Sequence, residues 1–283
     1  MPPFSPDADA LAITLAAIAH GAGARILESR AKGFATRTKE DGSPCSDADM
    51  AAEAFIAAAL ARAFPQVRVI SEESADTAAP VGREEAFFLV DPLDGTRDFV
   101  AGGSEFTVNI AAIVAGRPIA GVIHTPADGR FWIGGAAAYA TIAPAGGPPP
   151  ARDSLRPIRT RPASRKALTA LASARHGDPE TDRFLAALAP HERRNASSAL
   201  KFCLVAAGEA DVYPRFGRTM QWDVAAGDAL VSAAGGMVTT PDGTRVTYGD
   251  MTDGFANGPF IAWGDPALAR DTALLAAAVG GRT

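Results

Sequence analysis

The 283-residue sequence has little cysteine, little histidine and no excess of positive charge. Its two cysteines, Cys45 and Cys203, stand far apart, which excludes a disulfide framework and a Cys-x-x-Cys metal site and fits a reducing cytosol. The net charge of -5 leaves no basic surface for duplex nucleic acid, so a polyanionic partner would have to be small. The N-terminus carries acidic residues where a secretory signal needs basic ones, and the apolar part of residues 11–19 is too short to span a bilayer. A cytoplasmic protein without a membrane segment is expected.

What is present is an ordinary globular composition, with 47% hydrophobic and 21% charged residues. The length allows one large domain or two modest ones. The sequence shows no internal repeat and no heptad pattern, so the choice between a monomer and a homodimer stays open.

Hydrophobic spacing predicts mixed α and β structure in both halves of the chain. In the first half it predicts helices over 7–31, capped by Asp7 or Asp9, and over 47–64, then strands over 67–71, 86–90, 106–114, 119–125 and 129–133. Residues 143–163 are rich in Pro, Gly and Arg and predict a loop or a boundary between the two halves, which gives domains of 1–155 and 156–283. The second half should contain a strand over 167–173, helices over 178–188 and 198–207, and a helix that follows Asp223 and ends at Gly235-Gly236.

The segment FFLVDPLDGTRDFV at 87–100 runs from four apolar residues directly into Asp91 and Asp94. Pro-x-Asp-Gly taken alone is a common turn signal. Asp91, however, ends a strand that should be buried, and burial of an unpaired carboxylate costs several kcal/mol. A cation is therefore expected beside it.

Three further segments place carboxylates at a strand end or a helix start: DAD at 47–49, SEES at 71–74 and WD at 222–223. Such positions converge in α/β architectures, and oxygen donors without Cys or His suit Mg²⁺, or Mn²⁺ as a substitute. Each segment also has a plainer interpretation, since Glu72 can lie in an exposed acidic turn and Asp223 can be only a helix cap. The metal site would be absent only if every one of these plainer interpretations were true at the same time, with the spacings intact.

The combination of SEES, DPLDGTRDF and WDVAAG resembles the inositol monophosphatase superfamily of Mg²⁺-dependent, lithium-sensitive phosphomonoesterases, over nearly the whole chain. The resemblance implies alternating helix and sheet layers of α/β class, with a largely antiparallel first sheet and a mixed second sheet. It implies two or three Mg²⁺ ions held by five ligands: Glu72, Asp91, the carbonyl of Leu93, Asp94 and Asp223.

The same resemblance assigns catalytic roles. Asp49 and Thr96 match the residues that hold and activate the attacking water, and Glu72 is catalytic as a metal ligand. Independently of the resemblance, Gly95 and Thr96 open a turn of helix directly after Asp94, which should aim backbone N–H groups at the phosphate. KEDGSPCSDAD at 39–49 resembles the mobile loop of the family, with Cys45-Ser46 in place of Val-Thr. Asp41 is retained there, which implies a third metal position.

Within the superfamily, SSALKFCLVAAGEADVYPRFG most resembles the CysQ-type 3'(2'),5'-bisphosphate nucleotidases, which convert adenosine 3',5'-bisphosphate to AMP. A second phosphate on the substrate requires cations away from the metals, and Lys201 and Arg215 can supply them. The resemblance implies these nucleotide-binding residues: His176, Ser198, Lys201, Arg215 and Asp223.

Two alternatives stay open. A sister phosphatase acting on inositol monophosphate, histidinol phosphate or fructose bisphosphate would share all the metal ligands. Alternatively, a non-catalytic module could bind the nucleotide or the metal as a sensor. Lys201 and Arg215 could also be ordinary solvated charges.

Overall fold

The computed structural model describes residues 4, 7–39, 42, 44–75, 82, 85–173, 177–271, 274 and 276. Over these residues the chain forms five layers in the order helices, sheet, helices, sheet, helix. One hydrophobic core lies beneath each outer helical layer, and a third, continuous core surrounds the middle helices between the two sheets. The predicted α/β layered class is confirmed. The division into two domains stays a prediction.

The first sheet has seven strands in chain order. The first two, β3 and β4, are parallel and all the others are antiparallel, as predicted. Its strands are β3 (Arg68–Ser71), β4 (Ala86–Asp94), β5 (Thr107–Val114), β6 (Arg117–Thr125), β7 (Arg130–Gly134), β8 (Ala138–Ile142) and β9 (Arg156–Ile158). A hairpin of β1 (Thr36–Thr38) and β2 (Pro44–Ser46) precedes it.

Helices α1 (Ala8–Lys32) and α2 (Asp47–Ala63) cover one face of this sheet. Asp7 caps α1, whereas Asp9 accepts hydrogen bonds from Ala136 N, Ala137 N and the Tyr139 hydroxyl. By length and hydropathy, α1 is the single helix among the described residues that could cross a membrane. Its apolar side chains are instead packed in the protein core against α2 and the first sheet.

The alternation of side chains along β4 explains why a second helical layer forms. Phe88 and Val90 face α1 and α2, while Phe87 and Leu89 face the opposite core, which contains α5 (Leu200–Ala206) and α6 (Gln221–Ala233). The backbone of α6 approaches β6 so closely that a Cβ on Gly121 would lie 2.9 Å from the carbonyl oxygen of Ala226. This contact fixes α6, and the carboxylate of Asp223 with it, against the first sheet.

The second sheet is mixed, as predicted, with strand order β11-β10-β12-β16-β14. β10 (Thr169–Ser173) pairs in parallel with β11 (Glu192–Ala196) and β12 (Val212–Arg215), while β16 (Phe260–Trp263) runs antiparallel to β12 and β14 (Met237–Thr239). Leu171 of β10 faces the core that holds α6, while Ala170 and Ala172 face the core beneath α4 (Pro179–Leu188). A two-stranded antiparallel ladder pairs β13 (Thr219–Met220), which directly precedes α6 in the chain, with β15 (Ala256–Asn257), which follows it.

Two structural predictions need correction. The segment 143–163 is not a loop throughout, because Arg152–Ser154 form a 3-10 helix and β9 extends the first sheet. Asp223 does not precede α6 but lies in its first turn, where its Oδ2 accepts a hydrogen bond from Met220 N at 2.8 Å. Asp223 therefore caps the N-terminus of α6 from its third helical position and is not the N-cap residue, which is Met220.

Candidate active site

A cleft of about 360 Å³ contains all four acidic side chains assigned to the metals. Glu72 follows β3, Asp91 and Asp94 belong to the end of β4, and Asp223 comes from α6. Residues more than 150 positions apart in the chain thus line one cavity, because α6 packs against the sheet that carries β4.

The end of β4 departs from regular strand geometry at the site. The pairing with β5 shifts between Asp91 and Asp94, and the backbone N–H of Leu93 donates to Asp91 Oδ1 at 3.0 Å. Asp91 is only 1% exposed. Asp94 Oδ2 accepts from Ala199 N at 2.8 Å and lies 3.4 Å from the Thr107 hydroxyl, which ties the two halves of the chain together.

The carboxylates repel one another in this arrangement. Burial raises the pKa of Asp91 well above its usual range, and the charges of Glu72, Asp94 and Asp223 raise it further. Burial and the charge of Asp94 raise the pKa of Asp223 to about 8. Without a bound cation, the positively charged groups of the protein therefore do not balance the negative charge of these carboxylates.

Lys39 supplies one positive charge that sequence reasoning missed. Its ammonium group lies 2.7 Å from Glu72 Oε1 and 2.7 Å from Glu73 Oε1. Burial opposes the protonated form, but the two glutamates prevail and raise the pKa of Lys39. Its position at the start of the loop motif KEDGSPCSDAD was the available signal.

The donor set fits a hard divalent cation. It consists only of carboxylate and carbonyl oxygens, and a cation would relieve the repulsion that raises the pKa of Asp91 and Asp223. In the described part of the chain, no three Asp, Glu, His or Cys side chains are grouped so that they could hold a metal ion as they stand, so the carboxylates would have to draw together around it. Glu72 in particular is engaged by Lys39 and would have to share or exchange that contact.

Asp49 and Thr96 lie together, as their assigned role requires. The Thr96 hydroxyl oxygen is 2.9 Å from Asp49 Oδ1 and 2.9 Å from the carbonyl oxygen of Leu93. The other carboxylate oxygen of Asp49 accepts from Ser46 N at 2.7 Å and from the Ser46 hydroxyl at 2.6 Å. Burial raises the pKa of Asp49, although these hydrogen bonds counteract the shift. Ser46 was not assigned a role from the sequence.

Gly95 lies directly before α3 (Thr96–Val100) and has the left-handed φ of 91°. A Cβ there would lie 2.5 Å from the Ser198 hydroxyl and 2.9 Å from the carbonyl oxygen of Glu105. Ser198 Oγ donates to that same carbonyl at 3.1 Å. Only glycine fits, which explains the Gly-Thr pair of the motif.

Of the residues assigned to the nucleotide, some line the cleft and one lies outside the described residues. Lys201 and Arg215 line the cleft, but Lys201 is only 4% exposed and its ammonium donates to the carbonyl oxygens of Ala196, at 3.1 Å, and Ser198, at 2.8 Å. Burial lowers the pKa of Lys201 to about 8, while the charge of Asp94 opposes the shift. His176 and Asp41 lie outside the described residues.

The whole fold and this site define a phosphatase class. The model of the inositol monophosphatase family matches residues 7–276, and the chain belongs to that family. Members of the family are metal-dependent, generally on Mg²⁺.

Among its relatives, the chain is 35% identical over 241 residues to the 3'(2'),5'-bisphosphate nucleotidase CysQ of Salmonella typhimurium, covering 82% of this chain and 91% of that protein. It is 38% identical over 224 residues to the CysQ nucleotidase of Escherichia coli K12, covering 75% and 82%. The crystal structure of CysQ from Bacteroides thetaiotaomicron, described as a bacterial member of the inositol monophosphatase family, matches with a TM-score of 0.74 and 30% identity over 90% of this chain and 97% of that one. The family resemblance and the layered fold are thereby confirmed.

Proposed function

We propose that the protein is a cytoplasmic, Mg²⁺-dependent 3'(2'),5'-bisphosphate nucleotidase that hydrolyses the 3'-phosphate of adenosine 3',5'-bisphosphate to give AMP and phosphate. The observation that carries the proposal is the charge distribution in a single cleft. Acidic side chains from β3, β4 and α6 line it together with the cations Lys201 and Arg215. A substrate with two phosphates matches such a cleft, with one phosphate at the metal ligands and the other at the cations. The relatives named above carry the same activity in their names.

The metal ligands under this proposal are Glu72, Asp91, the carbonyl of Leu93, Asp94 and Asp223. When bound there, Mg²⁺ supplies charge neutralisation for the phosphate and lowers the pKa of a water molecule. The excess of negative charge described above supports this ligand set, as does the absence of nitrogen and sulfur donors from it.

Thr96 and Asp49 would direct the attacking water. The Thr96 hydroxyl can donate its proton to Asp49 Oδ1, 2.9 Å away, which turns a lone pair of the hydroxyl oxygen toward the cleft as an acceptor. That lone pair orients a water hydrogen, and Asp49 provides the final proton acceptor. Ser46 holds the far oxygen of Asp49, so the carboxylate keeps its direction during transfer.

Lys201 and Ser198 shape the opposite wall. An ammonium group has three donors, and two of them are used for the carbonyls of Ala196 and Ser198. The third remains for a phosphate oxygen of the substrate, with Arg215 beside it. Lys201 therefore combines a structural role in the 196–198 turn with the proposed substrate contact.

Phosphate release from purified protein tests the proposal. With Mg²⁺ we expect kcat/KM for adenosine 3',5'-bisphosphate to exceed that for inositol monophosphate, histidinol phosphate and fructose bisphosphate by at least tenfold, and chelation to abolish turnover. Faster release from one of the other three would identify a sister phosphatase. Nucleotide binding without Mg²⁺-dependent release would instead indicate a sensor.

A further inference from the structure

Two arginines line the cleft, Arg97 and Arg218, and the side chain of neither has a hydrogen bond or ion pair with any described residue. Both are exposed at the cleft wall. They differ in position. Arg97 lies in α3 directly after Thr96, three residues after Asp94 in the chain, whereas Arg218 belongs to the segment that joins β12 to β13, three residues after Arg215.

The backbone that carries Arg218 is anchored on both sides. Before it, Phe216 is buried and its N–H donates to the Thr181 hydroxyl at 3.0 Å. After it, Thr219 pairs with Asn257 in the β13–β15 ladder. Because the backbone on both sides is held in place, the guanidinium of Arg218 can reach only positions near the mouth of the cleft. Binding a ligand therefore costs less conformational entropy than it would for an arginine on a mobile loop.

The cations of the second-half wall are graded in exposure. Lys201 is buried, Arg215 is partly buried and Arg218 is exposed. A guanidinium binds phosphate oxygens through two parallel N–H groups, and at an exposed position it loses little hydration when it does so. The positive charge of this wall therefore continues from the buried Lys201 to the protein surface at Arg218.

We propose that Arg218 is a specificity-determining residue, which binds the anionic group of the substrate that lies remote from the metal ligands. The inference rests on the proposed nucleotidase function and adds to it a contact beyond Lys201 and Arg215. Because Arg218 is the most exposed of the three cations, a remote phosphate that carries a further anionic group extending toward solvent, such as a sulfate, gains most from it.

The test compares Arg218→Ala and wild type on three substrates: adenosine 3'-monophosphate, adenosine 3',5'-bisphosphate and the bisphosphate with a sulfate on its 5'-phosphate. Loss of one charge-assisted pair should raise KM for the bisphosphate about tenfold at unchanged kcat. The increase should be larger for the sulfated nucleotide and absent for the monophosphate. Arg218→Lys should recover part of the loss, since it keeps the charge but not the paired donors.

Arg97→Ala is the matched control, because it removes the same charge from the same cleft. If attraction were only a matter of net charge, both variants would raise KM for all three substrates by similar factors, and this result would overturn the proposal. Unchanged KM values in Arg218→Ala would also overturn it. Failure of the nucleotidase assignment looks different, since wild-type protein would then show no preference for the bisphosphate over the 3'-monophosphate.

Discussion

Replacement of Asp223 by Asn should stabilise the metal-free protein while it removes the response to Mg²⁺. The pKa of this carboxyl rises from 3.8 to about 8 on folding, since burial and Asp94 disfavour its charge. At pH 7 a shift of this size costs up to about 4 kcal/mol of folding free energy. Asn keeps an oxygen that can accept from Met220 N, so the substitution removes the charge and retains the first turn of α6.

The pH dependence gives the sign of the effect. Between pH 4 and pH 8 the folded wild type binds more protons at Asp223 than the unfolded chain does, so its stability falls as the pH rises through this window. The gap between Asp223→Asn and wild type should therefore grow from about 2 kcal/mol at pH 5 to about 4 kcal/mol at pH 7. In chelator this corresponds to a rise in Tm of up to about 10 °C at pH 7 for a chain of this size.

Thermal unfolding in chelator and in excess Mg²⁺, at both pH values, measures these quantities. Wild type should gain stability from Mg²⁺ according to its affinity, and Asp223→Asn should gain much less. Asp228→Asn is the control on the same helix, since Asp228 is buried against Ser232 and Tyr248 away from the acidic cluster and its variant should keep the Mg²⁺ response. The reasoning would be refuted if metal-free Asp223→Asn were less stable than metal-free wild type. It would also be refuted if the difference in their free energies of unfolding were the same at pH 5 and pH 7.

Three further outcomes follow from the same structure. Asp91→Asn should abolish phosphate release in the steady-state assay while the far-ultraviolet circular dichroism stays that of the wild type, and residual turnover above one per cent would remove Asp91 from the metal site. Lys201→Ala should raise KM for the bisphosphate more than for a 3'-mononucleotide, because its third donor is reserved for the second phosphate; equal losses would leave it only the structural role. Burial lowers the pKa of His124 from 6.5 to about 4, so acidification from pH 6.5 to 4.5 should cost wild type about 2–3 kcal/mol relative to His124→Gln in urea unfolding. A constant difference between these two proteins would show that folding does not lower the pKa of His124.

The long helices and the acidic motifs could be predicted because their signals are local. Asp7 and Asp178 cap helices that begin where the sequence predicts, and the apolar run before Asp91 forms the buried strand β4. The strand continues through Asp94, beyond its predicted end at residue 90, because β5 supplies partners for Asp91 and Asp94. Pairing with a neighbouring strand is a tertiary effect that hydrophobic spacing does not contain.

The elements and contacts that were missed depend on distant parts of the chain. β9 consists of Arg156, Pro157 and Ile158, a composition typical of loops, and it becomes a strand only because β8 lies beside it. The ion pairs of Lys39 and the backbone contacts of Lys201 likewise require knowledge of which groups are buried together. The sequence gives the residue types and their order. Only the folded structure shows which charged groups are already bound to protein groups and which can still contact a substrate.

The position of α6 between the two sheets has a consequence for protein engineering. Because Gly121 admits the helix backbone so closely, α6 can be neither shifted nor repacked without moving the carboxylate at its first turn. The contact between β6 and α6 thus sets both the distance of α6 from the first sheet and the position of Asp223. Mutant libraries that vary the interior of this enzyme should therefore keep the residues of this contact unchanged and vary the outer helices instead.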